Sequence, residues 1–253
     1  MDEQARLTEA SALFDRTVAR TLNVWRLISS LQLYIAAGLP SAREAISNEM
    51  MHQTASEQLA RPDYGTPEQV KWARESLPTY VEGATNGTIE GAKTAANAAL
   101  VVFAHSVLDA AIEGYCEVSA ILNAADWMDF VEQREVTLRE ARDREFDDLL
   151  KIAVSEYLKK LHNKSLLNKI GTLQGICKPG SKELAPGYRF DAERIRRIDN
   201  LRHEIVHGEG LGSRIENAAD DLDYLWKTNT YLSAMITHRY GLRLGPTAIL
   251  QCG

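Results

Sequence analysis

The stretch "IEGAKTAANAALVVFAHSVLDAAIEGYCEVSAILN", residues 89–123, decides the fold class. Small and apolar residues predominate in it and there is no proline. It reads as buried helix, either one long element or two in series. Upstream, Leu7, Phe14, Val18, Thr21, Trp25, Ile28 and Ile35 recur at steps of three, four and seven, the stripe of a long helix over about 2–36. Gly38 and Pro40 are expected to end it, and Ser41 with Glu44 forms a capping box that opens a second helix, closed before Pro62. Thr66-Pro67-Glu68-Gln69 starts a third, ending at Pro78. The loop "TNGT", 85–88, then leads into the buried stretch.

Downstream, residues 126–161 are expected to be helical, with an acidic, arginine-rich first half and an amphipathic second half. A short helix covers 165–176, and "CKPGSKELAPGYRF", 177–190, is a loop rich in Pro and Gly. Asp191 caps a helix running to about His207, where Gly208 stops it, and a last helix covers roughly 214–240. No segment alternates with period two, and there is no internal repeat or low-complexity tract. The chain is expected to be all-α, with residues 1–85 as an N-terminal helical extension (a lid, an added layer or a dimer arm) and 86–253 as the main helical domain.

Composition agrees. Of the 253 residues, 45% are apolar and 25% charged, with 7% aromatic and only seven prolines, values of a globular protein but not of a β-sandwich or barrel. The formal charge of −6 excludes a general cationic coat, so a nucleic-acid contact needs a local basic patch. Three cysteines, Cys116, Cys177 and Cys252, lie far apart and form no C-x-x-C pair, which points to a reducing compartment. The first ten residues are acidic and lack the basic-then-apolar order of a secretory signal. The longest apolar run, 98–104, is far too short to span a bilayer. A cytoplasmic protein without membrane association is expected.

The chemistry concentrates in "NLRHEIVHGEG", residues 200–210. In one frame, His203-Glu204-Ile205-Val206-His207 is the H-E-x-x-H of a zinc peptidase helix, where two histidines a turn apart share a metal and the Glu activates its water. A catalytic zinc needs a third protein ligand. Ser213 stands where a metzincin-like third His belongs, and Glu216 follows His207 by only nine residues, too soon for the thermolysin-like arrangement. Such peptidases also need a sheet for their substrate. In the other frame the letters read Arg202-x-x-x-x-His207, at the end of a helix, with polar His203 after the Arg.

On these residues the chain resembles the HEPN superfamily over roughly 95–240. Members close the penultimate helix of an all-α bundle with an R-x(4–6)-H motif carrying Asn, Asp or His after the Arg. The resemblance matches "VVFAHSVLDAAIEGY" to an earlier long helix of the family and 214–240 to its final one. It implies a helical bundle of HEPN type with additional N-terminal helices, and a metal-independent endoribonuclease of anti-phage or toxin–antitoxin systems. It further implies a homodimer with two motifs in one cleft, RNA as substrate, an antitoxin or defence-system partner, and no cofactor or metal. Toxins silenced by nucleotidylation carry Tyr two residues after the His. Here that position is Glu209, which departs from that route.

The residue types suit such a hydrolase. His titrates near neutrality and moves protons either way. Arg clamps phosphate oxygens with a fixed fork of donors. Arg202 and His207 are the expected catalytic pair, with His203 as helper. From Tyr157 to Lys182 there are six lysines and no acid. Within it Lys159, Lys160, Lys164 and Lys169, with Arg197 nearby, are the expected RNA contacts. Three alternatives stand beside this reading: a solvated face in place of an RNA patch; a non-catalytic HEPN-like module binding a nucleotide or partner, with Arg202 ion-paired to Asp109 or Glu113 and His207 as a helix cap; and the zinc peptidase. His52, His105, His162 and His238 fall into no cluster.

Overall fold

A computed structural model describes residues 3–131, 137, 140, 142, 144–179, 184–207 and 218–243. Every regular element among them is helical. In chain order these are α1 (Glu3–Ser41), α2 (Arg43–Leu59), α3 (Pro67–Glu75), α4 (Leu77–Leu122), a 3₁₀ turn (Ala124–Trp127), α5 (Met128–Val131), α6 (Phe146–Leu161), α7 (Leu166–Cys177), α8 (Ala192–Val206) and α9 (Ala218–Tyr240). The all-α expectation holds. Residues 214–217, assigned above to the last helix, and Gly208 lie outside the described residues.

Compactness divides the chain into two units. One gathers α1 up to Leu27 with the chain from Val101 onward, and the other gathers Ile28–Leu100. In the first unit α4 buries Val101, Ala104, Leu108, Ile112, Tyr115 and Cys116, a 3.6-residue stripe that forms the core. By length and composition α4 is also the one helix among those described that is long and apolar enough to cross a membrane. Its stretch from Val101 to Ser119 instead buries this stripe inside the unit. Phe14 of α1 stacks at a tilt on Tyr115, with ring centres 6.0 Å apart, and Trp25 meets Trp226 of α9 at 5.5 Å. Gly114 makes the α1–α4 approach possible. A Cβ there would stand 2.6 Å from Thr17 Oγ1 and 2.9 Å from its Cγ2.

Several expected boundaries move. Pro40 lies inside α1, and the amide of Ala42 still reaches Gly38 O at 3.0 Å. A proline removes one amide hydrogen bond without preventing the next turn. Ser41 makes no capping box, because its hydroxyl donates back to Ala37 O at 3.1 Å. Pro78 opens α4 rather than closing α3. In a first turn its missing N–H costs nothing. The "TNGT" stretch is helical: Thr85 and Thr88 donate to Val81 O and Ala84 O at 2.8 and 2.9 Å, and Asn86 accepts from Arg43 at 2.6 Å. The polar side chains that signalled a loop are thus satisfied on the helix itself.

Conversely, 126–161 is not one helix. Asn123 accepts from the Ala125 amide at 3.3 Å to start the 3₁₀ turn, and Glu145 is extended ahead of α6. The corner is pinned by Trp127, fully buried, which donates from Nε1 to Ser119 Oγ at 3.1 Å. Thr66 caps α3, Ser165 caps α7 and Asp191 caps α8 through their side chains.

Gly114→Ala is expected to lower stability by about 1–3 kcal/mol, the usual range for overfilling a close contact, read as a lower urea midpoint with the slope unchanged. Wild-type stability in that variant would mean Thr17 can turn aside.

Candidate functional site

Helix α8 carries the motif, and its first half fixes where the second half lies. Asp191 Oδ1 accepts from the Arg194 amide at 3.0 Å. Ile195 and Ile198 are fully buried. On an adjacent face Arg194 donates to Asp221 Oδ1 of α9 at 3.0 Å, and Arg197 donates to the same oxygen. Asp221 is completely buried. The Arg194 guanidinium also stacks 4.6 Å above the Tyr224 ring. The Tyr224 hydroxyl accepts from the Asp191 amide at 2.8 Å and donates to its carbonyl at 3.1 Å. One to two turns on, Arg202, His203 and Glu204 are exposed. His207 ends the helix, its amide on His203 O at 3.0 Å, and the two imidazole rings lie 4.3 Å apart.

Arg202 and His203 open onto a cleft of about 510 Å³, lined also by His105 and Asp109 of α4, Asp199 of α8, and His162 and Lys164 of the α6–α7 link. Its floor is a polar network in an apolar core. His105, 3% exposed, places Nε2 2.8 Å from Asp199 Oδ1, so an ionised Asp199 fixes the proton on Nε2. The hydrogen bond from His105 holds the Asp199 carboxyl below its ordinary range against the opposing effect of burial, helped by the charges of His105 and Arg202 and the Leu166 amide. Beside it, the fully buried Lys169 of α7 puts its ammonium 2.8 Å from Asp109 and 2.6 Å from Glu113 Oε1. Burial alone would lower the Lys169 pKa, but both carboxylates outweigh it and raise it. The same Glu113 oxygen holds His162 Nδ1 at 2.9 Å.

The expected residues separate into groups. Arg202 and His203 line the cleft, whereas His207 is one ring removed from it. Arg202 forms no ion pair with Asp109 or Glu113, since Lys169 occupies both. Lys169 is therefore no surface contact for RNA: its position four residues after the Ser165 cap turns it into the core. Arg197 is half-exposed and tied to Asp221. Lys159, Lys160 and Lys164 are exposed, and Lys159 lines a second cavity of about 810 Å³ that includes Glu113 and shares His162 with the cleft. Glu204 is exposed and not part of the cleft lining. Among the described residues no third His, Cys, Asp or Glu joins His203 and His207 in a metal-binding group. Ser213, Glu216, Glu209, Lys182 and Cys252 lie outside the described residues. Cys116 and Cys177 are buried and unbridged, and burial pushes the Cys177 thiol up to about 12, far from a nucleophile at neutral pH.

Two site histidines escaped the sequence reading, yet a signal was present. His105, Asp109, Glu113 and Glu117 stand four residues apart on an otherwise apolar helix, a polar ridge that a buried helix keeps only when other elements satisfy it. No protein-family model, curated protein or solved structure matches the chain.

Lys169→Met is expected to cost about 3 kcal/mol at pH 7, the low end for breaking a buried pair because both carboxylates are partly exposed. Because the Lys169 pKa is raised, the deficit should persist from pH 7 to about pH 10, the unfolded lysine range, and narrow only above it; an equal deficit above that range would point to packing alone. Asp199 gives a second expectation. Its folded pKa is depressed, so its stabilisation is present above the unfolded carboxylate range and lost as pH falls through the folded value. Asp199→Asn should therefore lower the urea midpoint at pH 7 and flatten its decline below about pH 4, the unfolded carboxylate range.

Proposed function

We propose that the chain is a metal-independent endoribonuclease of HEPN type, acting in the cytoplasm as a homodimer within an anti-phage or toxin–antitoxin system. The observation that carries the proposal is the Arg202 guanidinium. It is exposed at the mouth of a histidine-lined cleft and has no ion-pair partner among the described residues. A structural arginine would sit on Asp109 or Glu113; here the buried Lys169 holds those carboxylates. Asp199, whose carboxyl already holds His105, feels the Arg202 charge without forming an ion pair with it, and the exposed fork of donors on Arg202 fits a phosphodiester.

The reaction needs the ribose 2′-oxygen to attack phosphorus while the 5′-oxygen leaves, giving a 2′,3′-cyclic phosphate and a 5′-hydroxyl. Arg202 stabilises charge on the non-bridging oxygens. His207 gives the leaving oxygen its proton, and its place at the carboxyl end of α8 puts it among helix carbonyls that attract a cation. His203, between the two, orients phosphate. Pairing about a two-fold axis would bring a second motif to the same RNA, and Lys159, Lys160 and Lys164 supply the basic track along the backbone. The zinc alternative lacks a third ligand among the described residues. A non-catalytic module that binds a nucleotide phosphate or a partner through the same exposed Arg202 is the alternative, and it would cut no RNA.

Purified protein is expected to cut single-stranded RNA to cyclic-phosphate ends in the presence of a strong chelator. His207→Ala should abolish cutting and Arg202→Lys should reduce it at least about 100-fold. Glu204→Gln should stay within about tenfold, roughly 1.4 kcal/mol of barrier. Chelator-sensitive activity that is lost in Glu204→Gln and kept in Arg202→Ala would establish the zinc frame instead. Light scattering should give a dimer mass at micromolar concentration; a strict monomer would leave the shared cleft without support.

A further inference from the structure

Four histidines lie in or beside the cleft, and the network beneath them sorts their roles. A proton acceptor needs one ring nitrogen held by a fixed partner and the other open to the substrate. His105 meets the first condition only: Asp199 holds Nε2, and Nδ1 is buried with no hydrogen-bond partner among the described residues. His203 and His207 are exposed, with no carboxylate partner among the described residues. His162 meets both. Its Nδ1 lies 2.9 Å from Glu113 Oε1 while its side chain is 71% exposed at the cleft wall. Glu113 is itself immobilised by the Lys169 ammonium at 2.6 Å. Lys169 at this carboxylate keeps it an acceptor, so Nδ1 carries the ring proton and the Nε2 lone pair is left available.

We infer that His162, oriented by Glu113, is the proton acceptor of the cleft and works in the same chain as Arg202. This role rests on the ribonuclease reading above. As the 2′-oxygen forms its bond to phosphorus, the 2′-hydroxyl proton passes to His162 Nε2. The bond from phosphorus to the 5′-oxygen breaks, and that oxygen takes the proton of the His207 imidazolium. The two rings exchange protonation state over the step and return to their starting forms by exchange with water. Acceptor and donor thus come from different elements, the end of α6 and the end of α8, and pairing of two chains is not needed to supply a second kind of histidine.

The test uses the full-length protein, an RNA that the wild type cuts, and the same RNA with the leaving 5′-oxygen replaced by sulfur, which departs without a proton. His162→Asn keeps an amide where Nδ1 was, so the bond to Glu113 survives while the proton carrier is lost. It should lower kcat by about 1,000-fold on both RNAs with KM within about threefold. His207→Ala should be as impaired on the natural RNA but recover to within about tenfold of wild type on the sulfur-substituted one. Wild-type kcat in His162→Asn, or recovery of that variant and not of His207→Ala by the sulfur leaving group, overturns the assignment while ribonuclease activity stands. A wild-type protein that cuts no RNA overturns the ribonuclease reading and this role together. Circular dichroism confirms that each variant keeps its helices.

Discussion

An ammonium group taken fully out of water must be paired, and Lys169 is paired twice. Its contacts to Asp109 and Glu113 join α7 to two successive turns of α4, and through Glu113 they reach His162 at the end of α6. Three helices meet on one charge. Such a cluster is a poor source of net stability, because desolvation offsets most of the attraction. What it supplies is position: the angle and distance are fixed by strong, directional hydrogen bonds rather than by interchangeable methyl contacts. The cleft forms where these helices converge.

The charge pattern follows from that arrangement. Asp109 and Glu113 spend their oxygens inward on Lys169 and His162, and Asp199 is committed to His105. The cationic groups at the rim, Arg202 and Lys164, keep their charge toward solvent. A chain of formal charge −6 thereby presents a local face suited to an anion. Net charge alone says little about such a face, since burial decides which ions are seen from outside.

How much was legible in the sequence follows the same division between local and distant causes. The helical character, the caps at Thr66, Ser165 and Asp191, and the motif at the end of α8 are written in short-range patterns, and those were readable. The errors came where distant partners changed the meaning of local letters. Residues 85–88 look like a loop until Arg43 takes Asn86 and the threonines bond back along the helix. Lys169 looks like part of a basic surface until α4 supplies two carboxylates. His105 and His162 look solitary because Asp199 and Glu113 are 94 and 49 residues away. The reciprocal bonds of Thr137 and Glu140 form a capping box legible in the sequence, inside a segment whose helical composition gives no other sign of a break.

The clamp of Arg194 and Arg197 on buried Asp221 has a mechanical consequence. It grips α8 in its first half, and the His105–Asp199 bond holds it two residues beyond Arg197, while His207 stands eight residues beyond Asp199, roughly 12 Å along a helix that rises 1.5 Å per residue. The motif therefore rides on a lever. A tilt of about 5° of the held half displaces the far end by about 1 Å over that length, a distance at which placement of reacting groups already changes rates by orders of magnitude. The fulcrum is a carboxylate whose second oxygen has no hydrogen-bond partner among the described residues, seated on α9 rather than in the cleft. Whatever pulls on α9 thus acts on the motif with leverage, without touching a single group that lines the cleft.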